Sequence, residues 1–170
     1  MSFSAGFNIR QLTSDDEALM RSLLGMFGKA FGEAQAYCAN QPGAGYLRQL
    51  LARDTFIALA ALKNNEVAGG LAAYELQKFE QERSEIYIYD LAVAAEHRRE
   101  GIATALIRKL QQLAAARAAY VIFAQADVGD AAAIALYSKL GVREDVLHFD
   151  IPVQDGNDAA QVPVASAACR

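Results

Sequence analysis

Two different spacings of apolar residues follow one another along this chain, and together they predict an α/β protein. Some segments are apolar over the length of a strand and have turn residues at their ends. Others repeat apolar residues every three or four positions, which is the spacing of a helix with one buried face. The predicted strands are 7–12, 55–62, 67–74, 85–93, 120–126 and 142–153. The predicted helices are 13–31, 46–52, 101–118 and 130–140.

The order of these elements predicts how the sheet is built. Asn64 and Asn65 separate two predicted strands and tolerate the conformations of a hairpin turn, so the first strands should pair antiparallel. The strand–helix–strand run from 85 to 126 requires a parallel, right-handed crossover. We therefore expect a mixed central sheet of six to seven strands flanked by about four helices.

Length and composition are those of one globular domain. The chain has 170 residues, 54% of them hydrophobic and 21% charged, which is enough to bury a core. No apolar run approaches the length needed to cross a bilayer, and we expect no membrane partner. The N-terminus lacks the pattern of a secretory signal. We predict a domain over 1–154 and a mobile tail over 155–170.

The charges and cysteines of the chain indicate its cellular location and its possible partners. Cys38 and Cys169 show no metal-ligand spacing, so we expect free thiols and a cytoplasmic, reducing location. His97 and His148 have no ligand partner at a suitable spacing, so we predict no metal. The net charge of −4 argues against a nucleic-acid partner and is compatible with a cationic substrate.

The segment from Asp90 to Thr104 (DLAVAAEHRREGIAT) predicts an anion site. An apolar strand leads into Arg98, Arg99 and Gly101, and a helix follows. The first amides of a helix have no partner within it, and the helix dipole favours negative charge there. Since glycine lacks a Cβ, a phosphate group could approach this backbone closely. We interpret the segment as a diphosphate cradle.

Asp90 is the acid that stands out in the sequence. It interrupts an otherwise apolar strand, where an unpaired carboxylate is costly, so we expect it to face a cleft. Glu85, Tyr87 and Tyr89 share the opposite phase of the strand, and Glu85 would join the Asp90 pocket only if a bulge intervened. The two tyrosines are expected to be core residues rather than sugar-stacking platforms.

Two motifs resemble those of the GNAT N-acyltransferase superfamily, which uses acetyl-coenzyme A. Residues 98–103 (RREGIA) resemble its Arg/Gln-x-x-Gly-x-Gly/Ala hallmark, and residues 136–141 (LYSKLG) resemble its second hallmark. The resemblance covers about residues 8–153 and implies a split between the fourth and fifth strands. Stretches such as EIYIYDLAV and ALYSKLGVREDVLHFDI are similar to GNAT-type aminoglycoside 3-N-acetyltransferases, which confer gentamicin resistance.

This resemblance implies a set of cofactor-binding residues. In the family, backbone amides of the loop hold the diphosphate, and the pantetheine arm pairs with the free edge of the fourth strand. Asp130 stands where many relatives carry asparagine, and it could instead cap the helix that follows. The implied set is Leu91, Ala92, Val93, Arg98, Arg99, Glu100, Gly101, Ile102, Ala103, Thr104, Asp130 and Ala133.

The same resemblance implies the catalytic and substrate-binding residues. Tyr137 corresponds to the tyrosine that serves as general acid toward the thiolate, with a packing role as the alternative. Asp90 would bind or deprotonate the attacking amine. Glu85, Asp127 and Asp150 would bind a polycationic sugar, whereas Glu80 and Glu82 are expected to lie in a solvated loop. Related enzymes commonly form dimers, so a homodimer is expected.

Two alternatives stay open at this stage. The first is a GNAT enzyme that acetylates another amine, such as a protein N-terminus, a lysine or a polyamine. The second is a cofactor-binding sensor without turnover. The combination of Asp90 with Tyr137 favours an enzyme, and the absence of a serine–histidine or cysteine–histidine pattern favours direct transfer over an acyl-enzyme.

Overall fold

A computed structural model of the protein describes residues 6–153. Its helices and strands follow the predicted order as far as the last helix. The strands are β1 (Asn8–Gln11), β2 (Phe56–Lys63), β3 (Glu66–Gln77), β4 (Ser84–Val93) and β5 (Ala119–Ala124). The helices are α1 (Glu17–Phe31), α2 (Ala44–Leu51), α3 (Ile102–Ala116) and α4 (Ala131–Ser138). A short π-helical turn, Gln35–Ala39, lies between α1 and α2.

The sheet has the strand order β1-β2-β3-β4-β5. The first four strands pair antiparallel, and β4 pairs with β5 in parallel, as the crossover through α3 requires. Asn64 and Asn65 have φ values of 52° and 65°, which confirms the left-handed hairpin turn between β2 and β3. The mixed α/β class predicted from the sequence is therefore confirmed.

Two hydrophobic clusters cover the two faces of the sheet. One buries residues of α1 and α2, including Leu23, Phe27 and Leu47, against Ala72 and other sheet residues. The second buries residues of α3 against the opposite face, and its members include Ile57, Leu71, Ile86, Leu106 and Leu110. Each strand of the centre is therefore covered on both sides, which explains why β2 and β3 read as nearly continuous apolar runs.

The predicted count of six to seven strands is wrong for the described residues, which form five. The segment 142–153 was expected to close the sheet, but it is exposed, has no regular secondary structure and pairs with no strand among residues 6–153. Its apolar alternation is that of a strand, yet pairing also requires that a neighbouring edge be reached. The predicted tail over 155–170 and Cys169 lie outside the described residues.

Within residues 6–153, no helix combines the length and apolar character needed to span a bilayer. No group of three or more His, Cys, Asp or Glu side chains that could hold a metal ion is found among these residues.

Candidate active site

A β-bulge in β4 decides which way Asp90 faces. β3 and β4 pair Ala73 with Ile88 but Ala72 with Asp90, so Tyr89 is an extra residue without a direct partner. The bulge reverses the alternation of the strand. Asp90 therefore lies on the same face as Tyr87, which is the face that α1 and α2 cover.

This bulge corrects one sequence expectation. Strict alternation placed Glu85 and Tyr87 on the face opposite to Asp90, and the register shift brings all three to one face. Tyr89 was expected to be a core residue, but it is 57% exposed because a bulged residue is pushed out of the pleat. The condition stated for Glu85, an intervening bulge, is thus met.

Asp90 lines a cleft of about 140 Å³ between α1, α2 and the sheet. The walls are mainly apolar and aromatic. They are formed by Met20, Leu24, Phe27, Pro42, Tyr46, Leu47, Leu50, Phe56, Ala72, Tyr74 and Tyr89, with Asp90 as the one carboxylic acid of the lining. A single carboxylate in such surroundings is the arrangement expected of a binding or catalytic group rather than of a stabilising one.

Tyr37 holds the carboxyl group of Asp90. Its phenolic O–H donates a hydrogen bond of 3.1 Å to Oδ2 of Asp90, across 53 residues of sequence. Burial raises the pKa of Asp90 above its ordinary value, and the hydrogen bond from Tyr37 opposes that rise because it favours the charged form. A carboxyl with a raised pKa is a stronger base than an exposed aspartate once it is ionised.

The π-helical turn that carries Tyr37 is seated directly on α1. A Cβ built on Gly28 would lie 2.7 Å from Sγ of Cys38 and 3.1 Å from Cβ of Tyr37, so only glycine allows this approach. The ring of Tyr37 also packs against Phe27 and Phe31, with centroids 6.1 and 5.6 Å away. Glycine and the two phenylalanines of α1 therefore position the phenol over Asp90.

Aromatic rings continue from the cleft across the open part of this face. Tyr89 makes edge contacts with Tyr74 and Tyr87 at centroid distances of 5.7 and 5.9 Å. Tyr87 stacks on Phe123 of β5 at 4.9 Å and donates a hydrogen bond to Gln125. The faces of such rings attract cations and the C–H faces of sugars. The surface beside Asp90 is therefore suited to a cationic or sugar-like ligand.

The loop before α3 has the geometry of an anion cradle. Arg99 and Gly101 both adopt left-handed backbone conformations, with φ values of 67° and 85°. No atom lies within 4 Å of the Cβ position of Gly101, so glycine is required by its φ and leaves open space in front of the helix. Amides of Ile102, Ala103 and Thr104 have no acceptor within the helix, since Ala105 is the first to donate to Gly101.

Charges around this loop are partly neutralised. Glu100 receives hydrogen bonds from Nζ of Lys63 at 2.8 and 3.0 Å, and this contact lowers the pKa of Glu100. His97 lies 3.5 Å from the same carboxylate. The guanidinium of Arg98 reaches back to the carbonyl oxygen of Val93 at 3.4 Å. Lys63 neutralises Glu100, so the charges of Arg98 and Arg99 at the start of α3 are not cancelled by this acid.

The expected split between the fourth and fifth strands is confirmed. β4 and β5 pair only as far as Ile88 and Ala124, and β4 then continues to Val93. The side chains of Leu91 and Val93 are partly buried against the α3 cluster, so they are core residues, as expected. Only their backbone groups are available at the split.

Tyr137 belongs to α4, and Asp130 is the N-cap residue directly before that helix. Tyr137 packs partly against the α3 cluster, whereas Asp90 lies on the opposite face of the sheet. Oδ1 of Asp130 accepts a hydrogen bond of 2.9 Å from the amide of Ala133, which caps the helix. The capping alternative for Asp130 is therefore confirmed, and a cofactor contact of either residue stays a prediction.

The remaining predicted acids are distributed over three places. Glu85 accepts a hydrogen bond of 3.0 Å from the O–H of Tyr120 and lies 3.6 Å from Nζ of Lys78. Asp127 lies in the turn between β5 and α4, where its carbonyl accepts from the amide of Asp130. Asp150 is exposed on the unpaired segment and contacts His148 at 3.1 Å. Of the three, Glu85 alone shares a strand and a face with Asp90.

Comparison with known proteins identifies the class to which this site belongs. Residues 18–142 match the model of the acetyltransferase (GNAT) family, so the chain belongs to that family. It is therefore an acetyltransferase, and the sensor alternative is set aside. No curated protein matches the sequence.

Several solved structures are similar to it. An aminoglycoside acetyltransferase from an uncultured soil metagenomic sample is 63% identical, with a TM-score of 0.86, and the match covers 91% of this chain and 100% of that one. A second such enzyme from soil, in complex with sisomicin, is 28% identical with a TM-score of 0.82, over 90% and 100% of the two chains. Aminoglycoside N-acetyltransferase AAC(6′)-Iy in complex with CoA shares the fold at 14% identity and a TM-score of 0.69, over 88% and 95%.

Proposed function

We propose that this enzyme is an aminoglycoside 3-N-acetyltransferase that transfers an acetyl group from acetyl-coenzyme A to the 3-amino group of a 2-deoxystreptamine ring. The observation that carries the proposal is Asp90, set in a tyrosine-lined cleft and held by Tyr37. The 63% identity to an aminoglycoside acetyltransferase over 91% of the chain supports the same substrate class.

The residues around α3 fit the acetyl donor. The left-handed conformations of Arg99 and Gly101 and the space in front of the helix form a cradle that a diphosphate could fill. Arg98 and Arg99 would add positive charge, and the edge of β4 beyond Ile88 would pair with the amide groups of the pantetheine arm. When bound there, acetyl-coenzyme A supplies the thioester carbon that the amine attacks.

Side chains of the site accept and donate the protons as the acetyl group is transferred directly to the amine. Asp90, in its ionised form, accepts a proton from the attacking amine, directly or through water. Tyr37 holds the carboxylate in position and favours its ionised form. A backbone amide at the Leu91–Val93 edge stabilises the oxyanion, and Tyr137 donates its phenolic proton to the sulfur as the C–S bond breaks. The new C–N bond replaces the C–S bond, and no covalent enzyme intermediate is needed.

A polycationic sugar suits the surroundings of Asp90. The rings of Tyr74, Tyr87 and Tyr89 offer faces for ring C–H groups and ammonium groups. Glu85 lies on the same face and would bind one of the remaining ammonium groups. Asp127 and Asp150 are proposed as outer acidic contacts. We further propose that the enzyme is a homodimer and works in the cytoplasm, where the exposed thiol of Cys38 would stay reduced.

The second candidate is acetylation of another amine, such as a peptide N-terminus, a lysine or a polyamine. The openness of the aromatic surface favours it, since a flexible chain with one amine could also reach Asp90. A structure with 22% identity is that of a ribosomal-protein-alanine N-acetyltransferase, which at that level shows only a shared fold.

One assay separates these candidates. Release of free thiol from acetyl-coenzyme A is measured with gentamicin-type aminoglycosides, with histone-like peptides and with polyamines. We expect turnover with the aminoglycosides. If no aminoglycoside is acetylated and a peptide is, the second candidate is correct. The acetylated position is then read by NMR of the product, where a 6′-acetylated ring would contradict the 3-N assignment.

A matched pair of variants checks the assigned base. Asp90→Asn keeps the size of the side chain and removes its basicity, so turnover should fall by about 10²- to 10⁴-fold while acetyl-coenzyme A still binds. Asp127→Asn, an identical change in the turn between β5 and α4, should alter KM more than kcat. A fully active Asp90→Asn enzyme would remove Asp90 from the mechanism.

A further inference from the structure

Glu100 is the acid of the loop that leads into α3, and it lies directly before Gly101, the N-cap residue of that helix. A carboxylate at this position is attracted by the first amides of the helix, because they lack partners within it and carry the positive end of its dipole. The diphosphate of acetyl-coenzyme A needs the same amides. Glu100 is therefore placed to compete with the cofactor for these donors.

Both carboxylate oxygens of Glu100 are instead held by a residue from β2. Nζ of Lys63 donates hydrogen bonds of 3.0 and 2.8 Å to Oε1 and Oε2 of Glu100. Nδ1 of His97 lies 3.5 Å from Oε1 of this carboxylate and 3.5 Å from Nζ of Lys63. The contact with Lys63 lowers the pKa of Glu100, so the acid carries its charge at neutral pH.

The alternation of side chains along β2 brings Lys63 to this loop. Ile57, Leu59 and Ala61 pack in the cluster that α3 covers, and Lys63 is the next residue in the same phase. It is also the last residue of the strand, where the buried run ends. Its ammonium group therefore leaves the core beside the start of α3, where it contacts Glu100.

β3 holds the loop within reach of Lys63. Ala68 is an extra residue in the pairing of β2 with β3, and its carbonyl accepts a hydrogen bond of 2.9 Å from the amide of Ala94, directly after β4. A Cβ on Gly69 would lie 2.9 Å from Cγ2 of Ile102, the first residue of α3, so glycine allows this close approach. Backbone packing thus fixes the hairpin of β2 and β3 against the start of the helix.

A second acid, Glu66, lies much closer to Lys63 in the sequence. The register places Glu66 directly opposite Lys63 across the hairpin, where opposite charges form a favourable cross-strand pair. In the structure the ammonium group contacts Glu100, 37 positions along the chain, and Glu66 is exposed. A pair with Glu66 would stabilise the hairpin alone, whereas the observed pair determines where the charge of Glu100 lies.

We propose that Lys63 is a positioning residue of the cofactor site, which holds the carboxylate of Glu100 away from the first amides of α3 so that the diphosphate can bind them. The inference rests on the proposed binding of acetyl-coenzyme A at this loop. In this role Lys63 acts through Glu100 and needs no contact with the cofactor. Its removal therefore matters only while residue 100 carries a negative charge.

Titration calorimetry with acetyl-coenzyme A tests this role on the full chain, without an acceptor amine. Lys63→Met removes the ammonium group and releases Glu100, so binding should weaken by about fivefold, the upper end of what a partly exposed ion pair contributes. In a Glu100→Gln background, the same Lys63→Met change should alter the affinity by less than about twofold. Lys63→Arg keeps the charge and should bind like the wild type.

Lys29→Met is the matched control for the loss of one positive charge. Lys29 is exposed in the last turn of α1, which covers the face of the sheet opposite to α3, so its removal should leave the affinity unchanged. A general effect of net charge would instead weaken binding equally in Lys29→Met and Lys63→Met, and would overturn the proposal.

Two further results would overturn it. The first is an equal loss of affinity from Lys63→Met in the wild-type and Glu100→Gln backgrounds, because Lys63 would then contact the cofactor itself or support the fold. The second is wild-type affinity in Lys63→Met. Both results would leave the proposed function intact, whereas a wild-type enzyme that binds no acetyl-coenzyme A would contradict the proposed function and this role together.

Discussion

Replacing Tyr37 with phenylalanine tests the contribution of a single hydroxyl group to the candidate site. The change removes the O–H that donates to Oδ2 of Asp90 at 3.1 Å and leaves the ring contacts with Phe27 and Phe31 in place. The fold should therefore be unaffected, and the electrostatic environment of Asp90 should change. Because this hydrogen bond favours the charged form, its loss raises the pKa of Asp90 further.

The size of the effect follows from the strength of such a bond. A hydrogen bond to an ionised acceptor contributes about 1.5–3 kcal/mol, and about 1.4 kcal/mol changes an equilibrium constant tenfold. Loss of the bond should therefore reduce the acid dissociation constant of Asp90 by about 10- to 100-fold. At a pH where the wild-type carboxyl is ionised and the variant carboxyl is not, turnover should fall by a similar factor.

Two measurements follow the carboxyl of Asp90. In the pH profile of kcat/KM, the acidic limb should move to higher pH in Tyr37→Phe, while the substrate amine contributes equally to both enzymes. Carbon NMR of protein labelled at its aspartate carboxyls gives the titration directly, with the Asp90 signal assigned by its absence from Asp90→Asn. Activity should recover as the pH rises, which a loss of structure would not produce.

A second tyrosine provides the control. Tyr46 lines the same cleft, so Tyr46→Phe removes an O–H from the same wall without touching Asp90. It should leave both the acidic limb and the carboxyl titration unchanged. The reasoning is refuted if Tyr37→Phe titrates like the wild type, or if the two variants shift the limb equally.

Three further outcomes are expected. Gly28→Ala should push the Tyr37 turn off α1 and lower turnover, because its Cβ would lie 2.7 Å from Sγ of Cys38, while Gly25→Ala on the same helix has open space and should raise the melting temperature. Gly101→Ala must adopt φ near 85°, which costs the folded protein about 1–2 kcal/mol, so calorimetry should show a lower melting temperature. Asp90→Asn should become more stable relative to the wild type as the pH rises. The pKa of Asp90 is higher in the folded than in the unfolded wild type, so the wild type loses folding free energy as the pH rises through that folded pKa, whereas the variant has no such group. A constant melting-temperature difference across the titration would contradict this last expectation.

Several features of the site were predictable because local sequence decides them. The residues from Arg98 to Thr104 form a turn and a helix start, and Gly101 has a left-handed φ of 85° that glycine tolerates. Asp130 caps α4 through a bond to a residue three positions later. Interactions between residues a few positions apart can be predicted from the sequence because both partners belong to the same short segment.

Tyr37 was missed for the opposite reason. Its partner lies 53 residues away, and the turn that carries it has no periodicity to signal a helix. The one available hint was Gly28 within an otherwise apolar helical face, which indicates a close approach but not by what. The bulge at Tyr89 was equally invisible, since it depends on how β4 registers against β3.

The amino-acid sequence by itself determined the order of the strands and helices, the glycine turn that opens α3 and the presence of one costly carboxylate in a central strand. These follow from periodicity, helix-end chemistry and the free energy of burying charge, all of which act over a few residues. Tertiary structure alone decided that Asp90, Tyr37 and Glu85 lie on one face of the sheet, and that the segment 142–153 does not pair with it. Register and long-range packing set those outcomes, because they depend on surfaces that the chain brings together only after it has folded.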